Sequence, residues 1–263
     1  MTAPALPPTT ATLPSGAAIP LLGFGTWQLS GRAATEATAS ALAVGYRHVD
    51  TATMYRNERE VGAAVRDSGL ARDEVFVTTK LQPDQAGPAR ATLEQSLVLL
   101  GLDHVDLWLI HWPPPADKGL ELWRAFLQAQ ADGLVRDVGV SNHSLDELDA
   151  LTSATGVTPA VNQIKWSPLL FDGALLAGHR DRGVVVEGYS GLKGGTMEQP
   201  VVTEIAARIG CSPAQVLVRW QLNHGVVAIP KSANESRIRE NADVDAVTLT
   251  SDDMAALDAL ATR

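Results

Sequence analysis

One cysteine in 263 residues, Cys211, leaves no partner for an intramolecular disulfide and excludes a Cys-rich zinc site. No apolar run approaches the roughly 20 residues that a bilayer-crossing helix needs, so no membrane partner is expected. Residues 1–16 are rich in Ala, Pro and Thr, with no basic start and no apolar stretch, so neither an export signal nor an anchor is read there. The cytoplasm is the expected compartment and a monomer the expected state. Cations are in deficit: 21 Lys and Arg against 30 Asp and Glu give a net charge of -9. That balance argues against nucleic acid as the main partner, because phosphate binding needs a cationic face. Nucleophile and metal motifs are missing as well: there is no Gly-x-Ser-x-Gly elbow, no His-Glu-x-x-His and no Cys-x-x-Cys. A Rossmann fingerprint starting at Gly23 and Gly25 would need glycine at position 28, which is Gln28.

What the chain does contain is a regular alternation. The length suits one (β/α)8 domain, and 45% hydrophobic with 19% charged residues is ordinary for a globular protein. Residues 11–13 and 17–21 flank Pro14-Ser15-Gly16, which predicts a small hairpin. Strands are predicted over 22–26, 48–50, 75–79, 105–110, 135–140, 160–164, 184–188 and 226–229. Helices are predicted over 34–44, 58–67, 88–100, 120–132, 145–154, 173–180 and 254–261, with two more, 201–209 and 213–223, before the last strand. Asn57 reads as an N-cap. Eight short apolar strands, each followed by helix, predict a parallel sheet closed into an α/β (β/α)8 TIM barrel, with extra helices before and after strand eight. No linker is visible, so residues 1–263 are expected to form one domain, with 1–10 flexible.

The eight strand ends read Gly25-Thr26, Asp50, Lys80, His111, Ser141-Asn142, Asn162-Gln163, Tyr189-Ser190 and Lys231-Ser232. In a barrel these ends ring one mouth. Asp50, Lys80 and His111 end three successive strands, and Tyr55 lies in the adjoining loop. Neighbouring strands are ~5 Å apart, so the four can meet. An ammonium beside a phenol stabilises the phenolate, which predicts a lowered Tyr55 pKa. Asp50 would hold Lys80, and a neutral His111 could donate a hydrogen bond to a substrate oxygen. The set suits a general acid that protonates an oxygen as it becomes an alkoxide. Singly, each has a plainer role: a loop aromatic, a solvated lysine, a rim histidine, a helix cap. Lys231, Ser232 and Arg237 put two cations and a hydroxyl at the last strand end, where barrels often hold phosphate. A charged helix start on the surface explains them equally well. Cys211, before the cap-like Ser212-Pro213, is expected to be passive and far from the mouth.

Residues 45–62 match the Asp-Thr-Ala-x-x-Tyr-x-Asn-Glu-x-x-Val-Gly segment of the aldo-keto reductase family. Residues 77–80, Leu109-Ile110-His111-Trp112-Pro113, Gly139-Val140-Ser141-Asn142, Asn162-Gln163 and 229–241 resemble its other segments, in order. The resemblance runs from about Leu13 onward and is to the compact microbial members. It implies a barrel that binds NADPH without a Rossmann domain and reduces aldehydes or ketones. It further implies Asp50, Tyr55, Lys80 and His111 as a catalytic tetrad with Tyr55 as the acid. Tyr189 would stack on the nicotinamide, with Ser141, Asn142 and Gln163 on its carboxamide and Gly25, Thr26 and Asp50 also against the cofactor. Ser190 and Leu192 would follow the pyrophosphate. Lys231, Ser232 and Arg237 would grip the 2′-phosphate, which favours NADP over NAD, and Glu240 with Asn241 the adenine. Trp27 and Trp112 would line the pocket of a small carbonyl substrate; no metal is implied.

The chain departs from the family pattern at His143, Gly191 and Trp166-Ser167-Pro168. A glycine at 191 predicts a more mobile loop over 191–195. Two rival functions stay open: a non-catalytic NADPH-binding regulatory or structural protein, and a Schiff-base lyase using Lys80, against which Asp50 argues by keeping Lys80 charged.

Overall fold

The computed structural model describes residues 9–83 and 89–262. The expected flexibility of residues 1–10 falls outside this range for 1–8, and Thr10 opens the first strand. β1 (Thr10–Thr12) and β2 (Ala18–Pro20) form the antiparallel hairpin. β3 (Phe24–Gly25), β4 (His48–Asp50), β5 (Phe76–Leu81), β6 (Val105–Ile110), β7 (Val135–Ser141), β8 (Val161–Lys165), β9 (Val185–Tyr189) and β10 (Val227–Ala228) follow as one parallel sheet in chain order. A parallel bridge between Leu22 and Ala228 joins the last strand to the first. Ala228 N donates to Leu21 O at 2.7 Å and Gly23 N to Ala228 O at 2.8 Å, closing the ring.

α1 (Gly31–Val44), α2 (Glu58–Asp67), α3 (Ala89–Leu100), α4 (Ala116–Ala131), α5 (Leu145–Thr155) and α6 (Gly173–Asp181) follow β3 to β8 one by one. α7 (Pro200–Ile209) and α8 (Pro213–Asn223) separate β9 from β10, and α9 (Glu235–Ala242) and α10 (Ser251–Asp258) end the fold. No single helix among the described residues is long and apolar enough to cross a membrane. The last helix starts three residues before the sequence pattern shows it. Thr250 accepts from Asp253 N at 3.1 Å while Asp253 Oδ2 accepts from Thr250 N at 2.9 Å, a reciprocal cap that apolar periodicity does not reveal. The opening residue of the predicted third helix, Pro88, lies outside the described residues.

Two apolar layers fix the barrel. Val49, Val77, Trp108, Ile110, Val138 and Val140 face outward against Val61, Val65, Leu93, Trp123, Phe126 and Leu148 of α2 to α5. Trp108 stacks on Phe126 with centroids 3.6 Å apart. A second layer joins Val186 and Ile164 to α6, α7, α8 and α10. The hairpin closes the lower end: Leu13, Ile19 and Leu21 pack with Phe76, Leu107, Leu109 and Val227. The upper end is left to polar groups.

Asn57 does not cap α2 with its side chain. It is fully buried. Its Nδ2 donates to Thr26 O and Leu29 O, both at 3.0 Å, and its Oδ1 accepts from Thr51 Oγ1 at 2.7 Å. One amide thus ties the loop after β3 to the loop after β4. Asn57→Ala removes three buried hydrogen bonds, although Thr26 O still accepts from Leu29 N at 3.1 Å, and should cost about 2–4 kcal/mol in urea denaturation; a change under about 0.5 kcal/mol contradicts the assigned tie.

His48 is buried beneath the mouth, its Nε2 3.0 Å from Thr78 Oγ1, and burial lowers its pKa from the ordinary 6.5 to about 3. Below 6.5 the unfolded chain takes a proton that the folded chain refuses until about 3. Stability should therefore fall on acidification through that window, by about 1.4 kcal/mol per pH unit from this residue. Urea midpoints against pH should show the slope, and His48→Gln should flatten it; an identical slope in the variant would remove His48 as its source.

Candidate active site

A cleft of about 800 Å³ opens over the C-terminal strand ends. Asp50, Tyr55 and His111 form its floor, with Trp27, Met54 and Trp112 beside them. The two tryptophans are 40% and 42% exposed, so the mouth is rimmed but open. Trp27 meets Tyr55 at 4.9 Å between centroids, Tyr55 meets His111 at 5.7 Å, and His111 meets Trp112 at 4.2 Å.

Lys80 lies on β5 one strand from Asp50 and is fully buried. Its Nζ is 2.7 Å from Asp50 Oδ1 and 2.6 Å from Oδ2. It also donates to Thr51 O at 2.9 Å and to the Tyr55 hydroxyl at 3.3 Å. All three ammonium hydrogens therefore have acceptors, one of them the phenol. Burial works against the charge on Lys80, but Asp50 and then Tyr55 outweigh it, and the pKa rises. The Tyr55 pKa is also raised, against the sequence-based expectation. Burial of the phenol is the larger effect, and the lysine only opposes it. At neutral pH Tyr55 holds its proton. Burial and then the charge of Lys80 lower the His111 pKa to about 2, so its ring is neutral.

Gln163 extends this cluster across the barrel. Its Nε2 donates to Asp50 Oδ2 at 2.9 Å. Ser141 Oγ donates to Gln163 O at 2.7 Å and accepts from Asn142 Nδ2 at 3.0 Å; the Tyr189 hydroxyl donates to Asn142 Oδ1 at 2.9 Å. Four non-glycine residues described have positive φ: Gln28, Arg56, Asn142 and Ser190. All four follow strand ends at the mouth, where strain of about 1 kcal/mol or more each is held by the surrounding bonds.

The other end of the cleft is cationic and polar: Lys231, Ser232, Arg237, Glu240 and Asn241 line it, as do Gly25, Ser190 and Leu192 nearer the middle. Asn234 caps α9 by accepting from Arg237 N at 3.2 Å. Burial and then the neighbouring Lys193 lower the Lys231 pKa. Lys193 itself lines the cleft, a third cation that sequence reasoning missed although Gly191 and Gly194 flank it. Thr26 does not line the cleft; it is fully buried and its hydroxyl donates to Asp50 O at 2.9 Å.

One further expectation needs correction. Ser212 and Pro213 line the cleft, so Cys211 adjoins its wall rather than lying far off. In the loop over 191–195 a Cβ on Gly191 would come within 2.6 Å of Gln221 Nε2, and Thr196 just beyond is fully buried with its hydroxyl on Lys193 O at 2.8 Å. Glycine at 191 makes room for a packed amide. Gln221 Oε1, beside the cleft, is buried without a partner among the described residues.

A family model described as "Aldo/keto reductase family" matches residues 21–262. The methylglyoxal reductase DkgA of Escherichia coli is 41% identical over 251 residues, covering 94% of this chain and 91% of that protein. An aldo-keto reductase of Mycolicibacterium smegmatis is 42% identical over 255 residues, covering 95% and 93%. The crystal structure of an aldo/keto reductase from Brucella melitensis superimposes with a TM-score of 0.92 at 41% identity, over 97% of this chain and 99% of that one. The closed ring, the polar mouth and these matches agree: the chain belongs to the aldo/keto reductase family, oxidoreductases of carbonyl compounds that use a nicotinamide cofactor.

Proposed function

We propose that the protein reduces aldehydes or ketones with NADPH, and that Tyr55 is the general acid. The supporting observation is the Tyr55 hydroxyl at 3.3 Å from a buried, Asp50-paired Lys80 on the floor of the cleft. The donor set fits the cofactor at both ends. In a chain of net charge -9, Lys193, Lys231 and Arg237 gather at one end, suited to phosphates. At the other end Ser141, Asn142 and Gln163 suit a carboxamide, beside the Tyr189 ring. Bound NADPH supplies a hydride to the carbonyl carbon.

The residues do the rest. His111, neutral, donates to the carbonyl oxygen and orients it. Tyr55 delivers its proton to that oxygen as negative charge builds, and Lys80 stabilises the resulting phenolate. Asp50 keeps Lys80 charged and turned to the phenol. Trp27, Met54 and Trp112 give the substrate an apolar wall. Apolar or aromatic carbonyl compounds fit that wall, and the relatives named methylglyoxal reductase add small 2-oxoaldehydes to the panel to try.

Tyr55→Phe should lower kcat by at least about 100-fold while the NADPH Kd changes little. Retained turnover rejects Tyr55 as the acid. Tight NADPH binding by the unaltered protein with no turnover across a carbonyl panel favours the binding-only rival. Arg237→Ala should weaken NADPH by about 10- to 100-fold, as for a lost charged hydrogen bond, and NADH little; equal losses for the two cofactors would contradict the 2′-phosphate assignment.

A further inference from the structure

Below the cleft floor lies a second carboxyl group that the proton delivery does not use. Glu187 is on β9, in register with Gln163 of β8 and Val227 of β10, and is fully buried. Its Oε1 accepts from Gln163 Nε2 at 2.9 Å. The same nitrogen donates to Asp50 Oδ2 at 2.9 Å. An amide nitrogen has two hydrogens, so each carboxyl group takes one. A continuous chain of contacts runs Tyr55, Lys80, Asp50, Gln163, Glu187, through strands β5, β4, β8 and β9. Glu187 Oε2 has no partner among the described residues.

The charges facing Glu187 are few. Asp50 comes from β4, Lys80 from β5 and Tyr55 from the turn after β4. Tyr189 is two residues along β9, β8 brings only Lys165, exposed at its end, and β10 has no titratable side chain. His48, near Lys80, is neutral. One ammonium therefore faces two carboxyl groups, and Asp50 already holds it with both oxygens. A second anion in the same dry space would have neither a counter-ion of its own nor a donor for Oε2.

We propose that Glu187 is a positioning residue for the cofactor's carboxamide: as a neutral acid it takes the second N–H of Gln163, holds that amide with its nitrogen inward, and leaves Gln163 Oε1 for the cleft. The ion pair with Lys80 makes Asp50 demand a donor, so the amide cannot flip. Glu187 supplies the second acceptor that stops it from swinging. Burial and then the charge of Asp50 raise the Glu187 pKa to about 8. Above that value Glu187 is a second anion beside Asp50 with one ammonium between them; the repulsion spreads the two acceptors that Gln163 bridges and displaces the amide from its place on the carboxamide. The inference rests on the proposed pairing of Gln163 with the carboxamide.

The test is an NADPH titration of the full chain, read by tryptophan fluorescence quenching, at pH values on either side of 8. The unaltered protein should lose affinity by about 10-fold on crossing that pH, the scale of one lost polar contact. Glu187→Gln, an isostere of the neutral acid, should keep affinity at neutral pH and remove the alkaline loss. Glu187→Leu should bind weakly at every pH. An alkaline loss equally present in Glu187→Gln, or a Glu187→Gln variant that binds poorly at neutral pH, overturns the proposal. Infrared difference spectra of the unaltered, cofactor-free protein give a readout that needs no variant to fold. A protonated-carboxyl band should vanish with a midpoint near 8, and no such loss would overturn the neutral acid directly. Failure of the unaltered protein to bind NADPH at any pH would instead reject the cofactor reading, whatever the infrared band shows.

Discussion

The mouth of the barrel depends on one buried ion pair, Lys80 with Asp50. Both side chains are removed from water, and neither would tolerate the loss of the other. Removing one partner leaves an uncompensated charge in a dry interior, which costs far more than a surface pair ever contributes. The pair also fixes direction. With Asp50 and Thr51 O taking two hydrogens of the ammonium, the third is turned to Tyr55. On the far side Asp50 draws the Gln163 amide inward. Parallel strands make this economical: residues at matching ends of β4, β5 and β8 need no loop to bring them together.

The cleft is polarised by composition as much as by shape. An acidic chain gathers Lys193, Lys231 and Arg237 at one end. At the other, around the Lys80-paired Asp50, it places neutral groups: Ser141, Asn142, Gln163, Tyr189 and a His111 that burial keeps uncharged. The loops in between sit in left-handed conformations at Gln28, Arg56, Asn142 and Ser190. Such backbone persists only where surrounding bonds over-determine it. Asn57 is the clearest of those bonds, since it ties the Trp27 loop to the Tyr55 turn.

Much of this was legible in the sequence. The strand order follows from apolar runs separated by helical periodicity, and the mouth from polar residues that end those runs. His111 stands out because the wholly apolar stretch 107–110 leads into it, and Asp50 and Lys80 because they end the two strands before it. What was not legible depends on long-range geometry. Asn57 occupies an N-cap position, yet its partners are 31 and 28 residues away in the chain. The close approach of Gly191 to the Gln221 amide couples a loop to a helix through space, a contact that the glycine by itself does not reveal. The Tyr55 pKa depends on how deeply the ring is buried, which spacing cannot give. Glu187 did leave a signal, a carboxyl group inside the apolar run 184–188, and it is fully buried in the fold.

The most direct measurement is a crystal structure with NADP+ and an unreactive carbonyl analogue bound. The analogue's oxygen should lie within hydrogen-bond reach of both Tyr55 and His111, the 2′-phosphate against Lys231, Ser232 and Arg237, and the carboxamide on Gln163. A nicotinamide ring placed away from Tyr55, or an analogue oxygen held by Lys80 with the phenol turned aside, would contradict this arrangement.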